Sequence, residues 1–213
     1  MTRTTNRLDN FTDAAFAFAL SLLVIGKSDI PTDLSRLTGA MANVPVFAIG
    51  FAILAMFWFG HVRWREYRGE GGPASVLLTF LLVFLVLIYV PPLQAMAAAF
   101  ATYLGGSGTR FSGDLGEMFA IYGAGFAAMS AVLVALCFEA AQSLRKAGDE
   151  RWIGARGECW IWTIHALTGT LSMVLSLVQA TARFAPFAYV ILAVAVPLFA
   201  ARYRWARTNP PPG

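Results

Sequence analysis

Six stretches of the sequence are apolar over close to the length that crosses a bilayer: Phe11–Gly26, Val44–Gly60, Val76–Tyr103, Met118–Phe138, Cys159–Val178 and Phe184–Ala201. A spanning helix needs about 20 predominantly apolar residues. The chain therefore reads as an all-α membrane protein of six transmembrane helices, with residues 1–207 as one helical domain and 208–213 as a Pro-rich tail expected to be disordered. Composition excludes the soluble classes. The chain is 58% hydrophobic and 13% charged, against roughly 45–50% and 25% in soluble domains. That excludes a disordered chain, a solvated repeat and most soluble enzymes.

Charge placement predicts orientation. With the N-terminus inside, twelve of the sixteen lysines and arginines fall on the cytoplasmic side: Arg3, Arg7, Arg63, Arg65, Arg68, Arg145, Lys146, Arg151, Arg156, Arg202, Arg204 and Arg207. Lys27, Arg36, Arg110 and Arg183 remain outside. Basic residues in short loops favour the cytoplasmic face, so both termini are expected there. Basic residues spread along membrane rims do not form one basic face, which argues against a nucleic-acid partner. Arg3 and Arg7 before an apolar run resemble a signal peptide, but no small-x-small site follows Ile25, and the segment is taken as mature structure.

The loops are short. Lys27–Asn43 allows one amphipathic turn through Leu34, Leu37 and Met41. Arg63–Ala74 and Gln142–Glu158 are expected as loops on the cytoplasmic side, and Gly105–Asp114 as a Gly/Ser turn outside. Pro91-Pro92 either kinks the third helix or ends it. Gly123-Ala124-Gly125 lies in the fourth helix, where small residues allow close packing. Cys137 and Cys159 lack C-x-x-C spacing, so neither a disulfide framework nor a zinc site is expected. No hydrolase, metalloprotease, Walker or dinucleotide motif occurs. No enzyme activity, metal or cofactor is expected.

Polar groups inside the membrane are costly and therefore informative. Asp13 and His61 fall at similar depth, and Arg7 near headgroup level, so an Arg7–Asp13–His61 cluster would satisfy all three. Structural bracing and proton handling both remain open for it. His165 lies roughly 10 Å deep at 1.5 Å per residue; a His61/His165 pair could ligate haem or metal, against ordinary packing. Thr163, Thr168, Thr170, Ser172 and Ser176 are expected to bond backbone carbonyls. Phe18, Ser21, Leu22 and Ile25 form one stripe of the first helix, and periodicity alone reads it as packing.

Arg7-Leu8-Asp9-Asn10-Phe11-Thr12-Asp13 resembles the R-x-x-x-F-S-D signature opening the first helix of the transmembrane protein 175 family, potassium-permeable channels of lysosomes and bacteria. Trp58-Phe59-Gly60-His61 is similar to that family's W-x-x-H, and the run ending in Pro91-Pro92 to its proline-containing third helix. The resemblance covers about residues 7–103. It implies a six-helix subunit, a homotetramer and a pore lined by the first helices. By position, the constriction falls on Phe18, with Ser21, Leu22 and Ile25 further outward. Arg7, Phe11, Thr12, Asp13, Trp58 and His61 form the bracing signature. Thr12 replaces a serine, and Phe18 stands where isoleucine is usual. Like the family, the chain has no T-V-G-Y-G filter.

The expected function is therefore a channel subunit passing K+ and other monovalent cations across the lipid bilayer. The alternatives are a proton-conducting channel, a secondary transporter, and a haem or redox membrane protein.

Overall fold

The computed structural model describes residues 3–25, 32–42, 44–69, 71–103 and 115–208. These residues form α1 (Arg3–Ile25), α2 (Leu34–Ala42), α3 (Val44–Arg68), α4 (Pro73–Tyr103), α5 (Leu115–Lys146), α6 (Trp152–Leu177), a 3-10 helix (Ala182–Tyr189) and α7 (Val190–Thr208). Among them, five segments are long and apolar enough to cross a membrane: Phe47–Arg68, Pro73–Met96, Gly116–Lys146, Trp152–Leu177 and Ala182–Tyr203. The sequence reading expected six. The remaining long helix, α1, carries Arg7, Asp9 and Asp13 in its N-terminal half, which lowers its apolar character.

The helices run further than their apolar cores. The segments 63–74 and 142–158, expected as loops, are mostly helical: α3 continues to Arg68, α5 to Lys146, and α6 begins at Trp152. Charged residues continue a helix once it leaves the apolar layer, and only a cap ends it. Gly148 ends α5 with φ near 70°. Its N–H bonds the Arg145 carbonyl and the Asp149 N–H the Leu144 carbonyl, the paired bonds of a Schellman end. Gly69 ends α3 with φ near 62° and returns its N–H to the Arg65 carbonyl. Pro73 opens α4 at the position where a missing N–H costs nothing. In the α5–α6 turn, hydrogen bonds from Arg151 hold the Asp149 carboxyl below its usual range.

Pro91 and Pro92 do not end α4, which continues to Tyr103. The sixth apolar stretch is not one α-helix. Its first part, around Pro186, is the 3-10 helix, and Ser172 of α6 anchors it by donating to the Ala185 carbonyl. The turn suggested by Leu34, Leu37 and Met41 is the nine-residue α2, and all three side chains are exposed. The segment 105–114 and the tail 209–213 lie outside the described residues.

The core sits between α3, α4, α5 and α6, with the buried face of α1 against it. Phe57 of α3 stacks on Trp162 of α6 at 5.6 Å and meets Phe126 of α5 edge-on at 5.3 Å. Helices α5 and α6 approach until backbones touch: a Cβ on Gly123 would lie 2.8 Å from the Gly169 carbonyl oxygen. Small residues permit this approach. Cys137 is buried, and Cys159 is half-buried with its thiol 3.8 Å from the Val134 carbonyl.

The end of the bundle where α3 finishes is joined by ion pairs. Three arginines of α3 each take a carboxylate from a different helix. Arg63 pairs with Glu158 of α6 at 2.6 Å, Arg65 with Asp9 of α1 at 2.7 Å, and Arg68 with Glu139 of α5 at 2.8 Å. Ser75 of α4 also donates to Glu139.

Candidate functional site

Helix α1 has two faces. Thr12, Phe16, Ala19 and Leu23 are buried, at spacings that place them on one side of a helix. They pack on α3 and α4, where Leu23 fills the space left by Gly50. The other face is uncovered in the single chain. Phe11, Ala14, Phe18, Ser21 and Val24 are exposed, and Phe18 keeps 57% of its surface. Leu22 is half-buried, at the edge between the faces. Ile25 ends the helix, and its side chain lies outside the described residues.

Polar ties along its length fix which face α1 turns outward. Near the N-terminus, Asp9 forms the ion pair with Arg65, and Arg65 Nη2 also donates to Asp9 Oδ2 at 3.0 Å. One turn on, Asp13 Oδ1 accepts a hydrogen bond from Trp58 Nε1 at 2.8 Å. Near the C-terminus, Gln94 Nε2 of α4 donates to the Leu22 carbonyl at 2.8 Å. That carbonyl lies in the last turn described for α1, where helix carbonyls take partners from outside the helix. Gln94 therefore caps α1 from a neighbouring helix. Phe11 packs tilted on Phe80 of α4 at 5.4 Å, and the buried Thr12 hydroxyl returns to the Leu8 carbonyl at 2.9 Å.

The expected Arg7–Asp13–His61 cluster is not assembled as such. Asp13 is taken by Trp58, while His61 Nε2 lies 3.2 Å from Thr79 Oγ1, with its ring 5.1 Å from Trp64. Arg7 is exposed, and the arginine that reaches α1 is Arg65. His61 and Trp58 are three residues apart and neighbour each other on α3, and each takes a different helix as partner: Trp58 meets Asp13 of α1, and His61 meets Thr79 of α4. His165 is elsewhere: its Nδ1 bonds the Ile161 carbonyl, and its ring lies among Trp162 and Phe126. No group of three or more His, Cys, Asp or Glu able to hold a metal occurs among the described residues.

The hydroxyls of α6 close onto backbone carbonyls: Thr163 to Cys159, Thr168 to Ile164, Thr170 to Ala166, Ser172 to Ala185 and Ser176 to Met173. Sequence reasoning missed Gln94 and Thr79 as partners of the site. Both are polar side chains in the most apolar helix of the chain, a signal of the same kind as Asp13 and His61. It also missed the pairing of Asp9 with Arg65.

The arrangement holds no nucleophile–base pair, and its chemistry is positional. It braces α1 against α3 and α4 and leaves a mainly apolar stripe, interrupted by the Ser21 hydroxyl, uncovered along the helix. Residues 7–91, from the Arg7 signature to Pro91, match the family described as endosomal/lysosomal potassium channel TMEM175. A protein of Marivirga tractuosa named "Potassium channel" is 35% identical over 100 residues, covering 47% of this chain and 40% of that relative. The chain thus matches under half the length of that relative. The crystal structure of a variant of the potassium channel MtTMEM175, in complex with a nanobody–MBP fusion, matches with a TM-score of 0.76 at 24% identity, over 98% of this chain and 94% of that one. A lysosomal potassium-selective channel TMEM175 homolog from Chamaesiphon minutus matches with a TM-score of 0.64 at 19% identity, over 95% and 99%. At these identities the two structures speak for the fold.

Proposed function

We infer, from the place of residues 7–91 in the endosomal/lysosomal potassium channel TMEM175 family, that this multi-pass membrane protein is a subunit of a potassium-permeable channel. The single observation that carries the reading is the uncovered face of α1. A lipid-facing helix has no use for Asp9, Asp13 and the carbonyl cap from Gln94. A helix braced to present one face toward an axis does. One helix cannot enclose a path, so the channel is an oligomer of closed symmetry, and the family resemblance implies four copies.

In this reading Phe18 makes the neck of the pore, with Ser21, Leu22 and Ile25 further along. Apolar constrictions gate by dewetting. Four phenyl rings narrow the path, and the Ser21 hydroxyls beyond them offer the first polar contact to an ion leaving it. Ions move down their gradient and the membrane potential, and no covalent step is involved. Phe11, Thr12, Asp13, Trp58 and His61 act as braces, together with Asp9, Arg65, Thr79 and Gln94, and Arg65 takes the bracing part expected of Arg7. Both termini face the cytoplasm by the distribution of basic residues, in a plasma membrane of bacterial inner-membrane type.

The test is ion flux in proteoliposomes carrying the purified protein under separate potassium, sodium and proton gradients. The reading predicts potassium flux. A folded oligomer that passes no potassium refutes it, and flux of protons alone replaces it with the proton-conducting alternative.

A further inference from the structure

A surface recess remote from α1 is lined by α5 and α6. It lies between the last turns of α5 and the first turns of α6, with a volume of about 400 Å³. Its rim carries Arg145 and Arg156, and its walls include Phe138, Trp152, Trp160 and Thr163. None of its nine lining residues is acidic. Every other arginine at this end of α3 and α5–α6 that lies against a carboxylate is already paired: Arg63, Arg65, Arg68 and Arg151. Among the described residues, neither Arg145 nor Arg156 takes part in an ion pair. Arg145 instead rests over the Trp152 ring at 5.8 Å, which fixes the guanidinium without neutralising it.

The groove is graded along the two helix axes. Arg145 lies seven residues beyond Phe138 on α5, and Thr163 seven residues beyond Arg156 on α6, so each wall runs about 10 Å from charged rim to apolar depth. Phe138 and Trp160 are exposed large apolar side chains at the apolar end. Two cations above an exposed aromatic cleft match one kind of occupant, with an anionic head and a hydrocarbon body. Basic pockets between spanning helices select phospholipid head groups in this way.

We propose that the α5–α6 groove binds the anionic headgroup of a phospholipid, whose phosphate bridges Arg145 and Arg156 while its acyl chain lies along Phe138 and Trp160. Phosphatidylglycerol is the probe. Native mass spectrometry of the full chain in neutral detergent, titrated with phosphatidylglycerol and separately with phosphatidylcholine, reads the binding. The expected result is preferential retention of phosphatidylglycerol, weakened about fivefold by Arg145→Gln and again by Arg156→Gln, at roughly one ion-pair contact each. Lys146→Gln removes a neighbouring charge outside the groove and is expected to leave binding unchanged. Trp160→Ala is expected to weaken both lipids together.

Equal loss in Lys146→Gln shows diffuse attraction to charge and overturns the proposal. So does competition by glycerol phosphate at concentrations similar to the lipid, which makes the site a free-phosphate site. Full phosphatidylglycerol retention in an Arg145→Gln/Arg156→Gln variant of unchanged melting temperature overturns it as well. The proposal does not depend on the channel reading, because binding is measured without flux.

Discussion

Replacing Gln94 by leucine removes one hydrogen bond and little else. Leucine keeps a similar volume, so α4 still packs on α1, but the Leu22 carbonyl loses the amide that caps it at 2.8 Å. A buried acceptor left without a partner costs about 1–3 kcal/mol. Gln94 is half-buried, which places the loss toward the lower end, about 1.4 kcal/mol, or a factor of about ten in local opening. The effect is confined to the last turn of α1, because carbonyls earlier in the helix have their own partners. Hydrogen–deuterium exchange of residues 19–25 measures it directly. Exchange there is expected to be about tenfold faster in Gln94→Leu, with α5 and α6 unchanged. Gln94→Asn, whose amide is one methylene short, is expected to behave like leucine. Unchanged exchange in both variants refutes the view that α4 caps α1.

Further predictions follow from the packing and the ion pairs. Gly60→Ala places a methyl against the ring of Trp162, itself held by Phe57 and beside His165. It is expected to lower stability by about 1–3 kcal/mol in a thermal melt, while Gly72→Ala, which meets nothing within 4 Å, does not. Gly123→Ala meets backbone atoms of α6 at 2.8 Å, which cannot rotate away, so it is expected to be at least as damaging in the same melt. The partly buried Asp9–Arg65 pair predicts a double-mutant cycle, read by denaturant titration, in which Asp9→Asn and Arg65→Gln together cost less than their sum. A coupling of about 1 kcal/mol is expected, and additive losses contradict the pairing.

Five of the six apolar stretches coincide with segments long and apolar enough to cross a membrane, because hydropathy over about 20 residues is a property of one segment alone. The ends of α3 and α5 were not legible in this way. Arg63, Arg68, Gln142 and Lys146 look like loop residues by charge, yet they are helical until Gly69 and Gly148 supply positive φ. The 3-10 helix escaped notice because Phe184–Ala201 reads as one apolar run, and only Pro186 hints at its irregular start. Within the site, Asp13 and Trp58 could be singled out from local motifs. Their hydrogen bond could not be deduced, because it joins residues 45 apart through the mutual rotation of two helices. The same holds for Arg65 and Asp9, 56 apart, and for Gln94 and Leu22, 72 apart. Composition shows that such groups need partners and leaves open which partner each one takes.

The central claim is that ions pass along the uncovered face of α1, and two phenylalanines of equal exposure test it. Phe18 on α1 and Phe84 on α4 retain 57% and 59% of their surface in the single chain. Potassium flux through proteoliposomes is compared in wild type, Phe18→Ala and Phe84→Ala at matched reconstitution. The account predicts that Phe18→Ala raises flux or weakens its preference for potassium over sodium, while Phe84→Ala, on α4 and outside the proposed pore-lining stripe, leaves both unchanged. Equal behaviour of the two variants, or a change only in Phe84→Ala, contradicts it.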